Sequence, residues 1–302
     1  MINKKDFSKF GIGTFGIGGM MEKDPSLDDQ IQINALRHSF EKGLNYLDVS
    51  FLYAEGHANE IVKKVLKGID KKSLFINAKL GDIENVKDIE KQLDEYLKHF
   101  NFDYVDSFQI HSPSRIKPVG IEKTSEEIMR LIGKEKFRFF SVSNFGPKNL
   151  EKAQSISGNK VFSLENDYSF DVRPCEDIGL IDYCKENDIL FIPYRPIRRA
   201  GAGMIANLDY PILVKLAKKY KKTANQVLLN WFAWKEGVMP IVKSANIKHI
   251  DENLASFDFK MTDSEYDDLD NFRVENAAWE NIDWEYEGTG GTKISGLSFV
   301  FD

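Results

Sequence analysis

Apolar positions along this chain alternate between two spacings. Short runs rich in apolar and β-branched residues, such as LFINA at Leu74–Ala78 and YVDSFQI at Tyr104–Ile110, are separated by longer stretches with apolar residues every third or fourth position. The first pattern predicts buried strands and the second amphipathic helices. Strands are expected near Phe10 and at Leu44–Val49, Leu74–Ala78, Tyr104–Ile110, Phe137–Val142, Val161–Leu164, Ile189–Pro193 and Val238–Val242. Helices are expected at Asp28–Lys42, Ala58–Lys67, Glu84–Phe100, Ile121–Ile132, Pro147–Ile156, Ile178–Asn187, Pro211–Tyr220, Thr223–Lys235, Ile247–Phe257 and Asp263–Phe272. Apolar strands alternating with helices imply a parallel sheet covered on its faces. Eight of them in about 260 residues imply a closed (β/α)8 TIM barrel. The barrel is expected over residues 1–272, with residues 273–302 as an extended C-terminal tail.

Composition narrows the setting. With 302 residues, 42% of them hydrophobic, the chain has enough apolar surface for one large core. No run of about 18 apolar residues appears, so no membrane span is expected. The start, MINKKDFSKFGIG, has lysines but no apolar run behind them and does not read as a signal peptide. Cys175 and Cys184 are too few for a disulfide framework and lack partners for a metal. These features point to the cytosol. A net charge of −6 argues against general nucleic-acid binding, which needs a basic footprint. The glycine-rich FGIGTFGIGG at Phe10–Gly19 superficially resembles a dinucleotide fingerprint, but no strand-turn-helix unit with an acid about 20 residues on follows it. A first strand and a tight loop at a site mouth fit it better.

Polar residues recur where the strands end: Asp48, Lys79, His111, Ser143-Asn144, Glu165-Asn166 and Lys243-Ser244. In a barrel those ends converge on one mouth. The stretch GLNYLDVSFLYAEGHANE adds Tyr53, in a loop between a strand and a helix. Read singly, Asp48 also fits a turn staple, Lys79 a surface lysine, His111 a hydrogen-bonded core histidine and Asn144 the start of a turn. Together they suit proton transfer to a carbonyl. A tyrosine has an ordinary pKa near 10. A lysine at about 4 Å, at an effective dielectric near 20, favours the phenolate by roughly 4 kcal/mol before desolvation is counted. Asp48 would hold Lys79, His111 would polarise a carbonyl, and Tyr53 would be the general acid. No side chain donates hydride, whereas a nicotinamide cofactor does.

The motifs LNYLDVSFLYAEGHANE, INAKLGD, VDSFQIHSP, FFSVSNFGP, LENDYS, PYRPIRRAG and VKSANIKHIDENL, in this order, resemble the aldo-keto reductases over nearly the whole chain to about residue 272. The resemblance implies a (β/α)8 barrel, NAD(P)H-dependent reduction of a small carbonyl substrate, and a catalytic tetrad of Asp48, Tyr53, Lys79 and His111. It implies that Ser143 and Asn144 hold the nicotinamide carboxamide and that Tyr194 stacks on the ring. Lys243 and Ser244 match positions that hold an adenosine 2′-phosphate, Asn253 matches an adenine contact, and Glu252 is its neighbour. NADPH is therefore the expected cofactor, with NADH possible, since His249 stands where the family commonly has arginine.

Two more positions depart from the family's pattern. Glu165 stands where a glutamine usually meets the carboxamide, and Arg195 stands where a serine is usual. A Glu165–Arg195 pair is one expectation; Arg195 on the cofactor pyrophosphate is the other, with Arg198 and Arg199 nearby or solvated. In the tail, Trp279 and Trp284 read either as pocket walls or as packing on the barrel's outside or at a dimer contact. A slow cofactor-binding sensor or regulatory subunit on the same barrel is the alternative to a reductase, and the oligomeric state stays open.

Overall fold

The computed structural model describes residues 3–197 and 210–273, and the backbone of two short paired strands at Lys293–Ile294 and Leu297–Ser298. Arg198, Arg199, Trp279 and Trp284 lie outside the described residues.

Eight parallel strands form one sheet in the order β7-β6-β5-β4-β3-β2-β1-β8. They are β1 (Gly11–Gly13), β2 (Tyr46–Val49), β3 (Phe75–Leu80), β4 (Val105–Ile110), β5 (Phe137–Ser143), β6 (Val161–Asp167), β7 (Leu190–Tyr194) and β8 (Ile241–Val242). A parallel bridge from Phe191 to Val238 closes the ring between β7 and β8. Helices α1 (Asp29–Glu41), α2 (His57–Leu66), α3 (Lys87–Phe100), α4 (Ile121–Ile132), α5 (Pro147–Ser157), α6 (Pro174–Asp177), α7 (Leu180–Glu186), α8 (Pro211–Tyr220), α9 (Ala224–Trp234), α10 (Ile247–Leu254) and α11 (Asp263–Asn271) surround it. The expected (β/α)8 barrel is the fold found. Among the described residues no helix is long and apolar enough to cross a membrane.

The periodicity placed the elements well and their ends less well. Strand β6 runs on through Glu165, Asn166 and Asp167, because Glu165 pairs with Ile192 and Asp167 with Tyr194 across the sheet. Polarity does not end a strand whose backbone bonds still have a partner. The helix expected at Ile178–Asn187 starts later, since Gly179 sits at φ 73°, a left-handed turn that separates it from α6.

The barrel's interior is layered. Its floor is aromatic: Tyr46, Phe75, Phe139 and Phe162 stack on one another, and Phe7 seats edge-on against Tyr46, Phe75 and Phe162. Above the floor lies a polar layer, in which Ser107 and Ser163 both donate to the Ser141 hydroxyl, at 2.7 and 2.8 Å. The charged residues Asp48, Lys79 and Glu165 come next, toward the carboxyl ends of the strands. The large apolar core lies outside the strands, against the helices.

Candidate active site

A cavity of about 910 Å³ opens at the carboxyl ends of the strands. The tetrad and the cofactor residues expected from the resemblance all line it: Asp48, Tyr53, Lys79, His111, Ser143, Asn144, Glu165, Tyr194, Arg195, Lys243, Ser244, His249, Glu252 and Asn253.

Lys79, the fifth residue of β3, is its centre. Its ammonium lies 3.1 Å from Asp48 Oδ2 and 2.6 Å from Glu165 Oε1, and donates to the Tyr53 hydroxyl at 3.0 Å. The ammonium thus hydrogen-bonds Tyr53 and Glu165 and forms an ion pair with Asp48. The strands fix these partners. Asp48 on β2 faces Asn77 on β3 in register, and Asn77 Nδ2 donates to Asp48 Oδ1 at 2.9 Å. Tyr96 on α3 donates to the Lys79 carbonyl at 2.8 Å and accepts from the Phe51 amide at 3.1 Å. One phenol therefore ties the lysine's strand to the loop that carries Tyr53. That loop is strained: Ala54 and Glu55 have φ of 50° and 55°. Such angles are costly for residues with a Cβ. Their amides reach across to the carbonyls of Met20 and Met21, at 2.7 and 2.9 Å, and lock the first two strand-to-helix loops together.

His111 follows β4 and meets the Tyr53 ring edge to face, with centroids 5.9 Å apart. Its Nδ1 is buried without a hydrogen-bond partner. Asn144 Nδ2 donates to the His111 carbonyl at 2.9 Å, and Asn144 Oδ1 accepts from the Tyr194 hydroxyl at 2.8 Å. Ser143 Oγ donates to the Glu165 carbonyl at 2.8 Å. At the far end of the cavity, Lys243 follows β8 beside Gly16, and no carboxylate pairs with it among the described residues. Asn246 caps α10 by accepting from the Lys248 amide at 2.9 Å.

Burial dominates the electrostatics. It pushes Asp48 and Glu165 up from the usual carboxylate range, Glu165 to about 7, with the Lys79 charge opposing. Burial works against the Lys79 charge, but Asp48 and Glu165 outweigh it and hold the ammonium charged far into alkaline pH. Burial, with Lys79 and Arg115 beside it, keeps His111 neutral. Burial also raises the Tyr53 phenol above its ordinary value; Lys79 pulls it down, while Asp48 and Glu165 push it further up.

Two expectations are corrected. Lys79 does not win the phenolate for Tyr53, because burial and two carboxylates around the ammonium outweigh one cation. Nor do Glu165 and Arg195 pair. Glu165 points to Lys79, and Arg195, at φ 55°, places Nη1 3.5 Å from Asp167 Oδ2. Sequence reading also missed cavity residues: Phe15, Met20, Met21, Arg115, Thr223 and Asn225. Thr223 and Asn225 flank the start of α9, remote in sequence from any strand end, and only the fold brings them here.

Residues 9–274 match the sequence profile described as the aldo/keto reductase family. "Probable aldo-keto reductase 1" of Glycine max is 26% identical over 297 residues, covering 86% of this chain and 84% of the relative. The thermostable aldo-keto reductase Tm1743, solved with the inhibitor epalrestat, superposes with a TM-score of 0.80 at 28% identity, over 87% of this chain and 94% of that one. An aldo-keto reductase of Klebsiella pneumoniae solved with NADPH gives a TM-score of 0.76 at 24% identity, over 87% and 90% of the two chains.

Proposed function

The chain belongs to the aldo/keto reductase family, and from that premise we propose that it reduces an aldehyde or ketone to the alcohol with NADPH, Tyr53 giving the proton. One observation carries the reading. The Tyr53 hydroxyl accepts from the Lys79 ammonium, which Asp48 holds, in the wall of the same cavity as neutral His111.

The cavity's chemistry fits a nicotinamide dinucleotide. Glu165 Oε2 is buried and lacks a donor, which a carboxamide N–H would supply. Ser143 and Asn144 stand beside it, and Tyr194 offers a ring face. Lys243, a cation that no carboxylate among the described residues compensates, lies near Ser244 and the start of α10 and suits a 2′-phosphate. Asn253, Glu252 and His249 border the adenine end. When bound, the reduced nicotinamide supplies the hydride. The rest of the chemistry belongs to the protein. His111, neutral, donates one N–H to the substrate carbonyl and fixes its direction. Tyr53, kept protonated, delivers its proton to the carbonyl oxygen as charge develops there. Lys79 steadies the phenolate left behind. In the reverse direction Tyr53 is the base. The two cysteines, both free and buried, are in keeping with a cytosolic setting.

The test is cofactor oxidation with a panel of small aldehydes and ketones, on wild type and Tyr53→Phe. Loss of the acid should lower kcat about 100- to 10,000-fold, with the cofactor Kd unchanged. Equal turnover in both proteins would refute the role of Tyr53. The second carboxylate on Lys79 favours the sensor alternative; that reading requires cofactor binding with no turnover in either protein.

A further inference from the structure

Glu165 is the nearest partner of Lys79, at 2.6 Å against 3.0 Å for Tyr53 and 3.1 Å for Asp48. It is 1% exposed, and its position is set by the sheet rather than by choice of rotamer alone. Its residue pairs in register with Ser143 on β5 and Ile192 on β7, and its carbonyl accepts from Ser143 Oγ and from the Asn144 amide. The backbone that carries the carboxyl beside the ammonium is therefore fixed on both sides. Once pH has risen past the Glu165 titration near 7, Asp48, Glu165 and Lys79 are all ionised, and the cluster carries one net negative charge before the phenol releases anything. Releasing the Tyr53 proton adds a second negative charge to a dry site, whereas a neutral side chain at position 165 would leave only one.

The groups that face Glu165 and Tyr53 offer no relief. They are Tyr46 and Asp48 from β2, Lys79 from β3, Gln109 from β4, Tyr96 from α3, His111 and Arg115 after β4, and Tyr194 from β7. Lys79 is the cation in contact, His111 is neutral, and the Arg115 guanidinium is engaged by Asp82 at 2.7 Å.

We propose that Glu165 is a positioning residue, a second counter-ion that divides the Lys79 ammonium between two carboxylates and so fixes the Tyr53 proton on the phenol until strongly alkaline pH. The direction of the Tyr53 shift, with burial first and both carboxylates adding to it, agrees with this geometry. Turnover inherits the consequence, and only this part rests on the reductase reading. Reduction needs the phenol and persists as pH rises; alcohol oxidation needs the phenolate and begins late. Removing the Glu165 charge should move both limbs down by about two pH units, the Coulomb worth of one unit charge at about 5 Å and an effective dielectric near 20.

The protein alone provides the first test. The phenolate ultraviolet absorbance of wild type is titrated against that of Tyr53→Phe, which isolates one phenol among 11 tyrosines. The same difference is taken between Glu165→Gln and the Glu165→Gln/Tyr53→Phe double variant. In wild type no Tyr53 step should appear at or below the ordinary value of about 10, and in the Glu165→Gln pair the step should fall about two pH units below the wild-type one. A wild-type step at or below the ordinary value overturns the proposal, and so does an equal step in both pairs. The wild-type pair can overturn the proposal even where Glu165→Gln does not fold. The second test is the pH profile of kcat for alcohol oxidation, whose rise should move with the titration. A titration that behaves as expected in a protein without turnover supports the ionic arrangement and refutes the reductase reading.

Discussion

At Gly11 an added Cβ would lie 2.7 Å from Tyr46 Cδ1 and 3.0 Å from Ile241 Cγ2. The Tyr46 ring is pinned in the aromatic floor by Phe7 and Phe75 and cannot retreat. Gly11→Ala should therefore destabilise the fold by about 1–3 kcal/mol through overpacking, read as a lower urea midpoint with an unchanged slope. Lys243 shows the opposite condition, space and charge with no carboxylate partner among the described residues. Lys243→Ala should raise the Kd for NADPH about 10- to 100-fold, the worth of one charged hydrogen bond, and leave the Kd for NADH nearly unmoved. Equal losses for the two cofactors would place the 2′-phosphate elsewhere.

Between elements, two polar clusters hold α11. Arg173, 1% exposed, donates to the carbonyls of Phe170, Leu269 and Asp270 at 2.9, 2.7 and 2.8 Å and stacks on Trp231. It fastens the end of α11 to the β6–α6 connection. Arg173→Met removes three charged hydrogen bonds to those carbonyls and should cost about 3 kcal/mol in chemical denaturation. At the other end of α11, Thr262 and Glu265 form a capping box, and Glu265 also accepts from Lys219 and Tyr220 of α8, at 2.7 and 2.6 Å. Burial alone would raise the Glu265 pKa, but bonds from Lys219, Tyr220 and Thr262 outweigh it and hold it at about 2. A carboxylate with a folded pKa below its unfolded value of about 4.3 stabilises the fold above that value. Its contribution is lost as pH falls through the folded pKa. Thermal melts should show Glu265→Gln less stable than wild type at neutral pH, with the gap closing toward pH 2.

Across the molecule, one cavity runs from the floor of charged residues on β2, β3 and β6 to the start of α10. We propose that residues 1–272 are the cofactor and catalytic domain and that the tail, 273–302, covers the substrate pocket. Deleting 274–302 should then change KM across a carbonyl panel far more than the cofactor Kd; an unchanged order of preference would refute that division. The Phe191–Val238 bridge completes the hydrogen-bonded closure of the barrel.

The sequence by itself determined the architecture, because apolar spacing is a local property and a strand or helix needs only its own residues to declare it. Lys79, Asp48, Tyr53 and His111 were legible as a set because barrel topology sends every strand end to one mouth. Which oxygen each charge would meet was not legible. Glu165 and Arg195 looked like natural partners by charge, but residue 165 points inward on β6 toward Lys79, while Arg195 turns past it to Asp167. The sign of the Tyr53 shift was decided the same way. A single lysine beside a phenol predicts one outcome from Coulomb's law. Full burial and a second carboxylate, brought from 86 residues away in sequence, predict the other. Desolvation and long-range pairing depend on where the chain has folded, so only the tertiary structure fixes them.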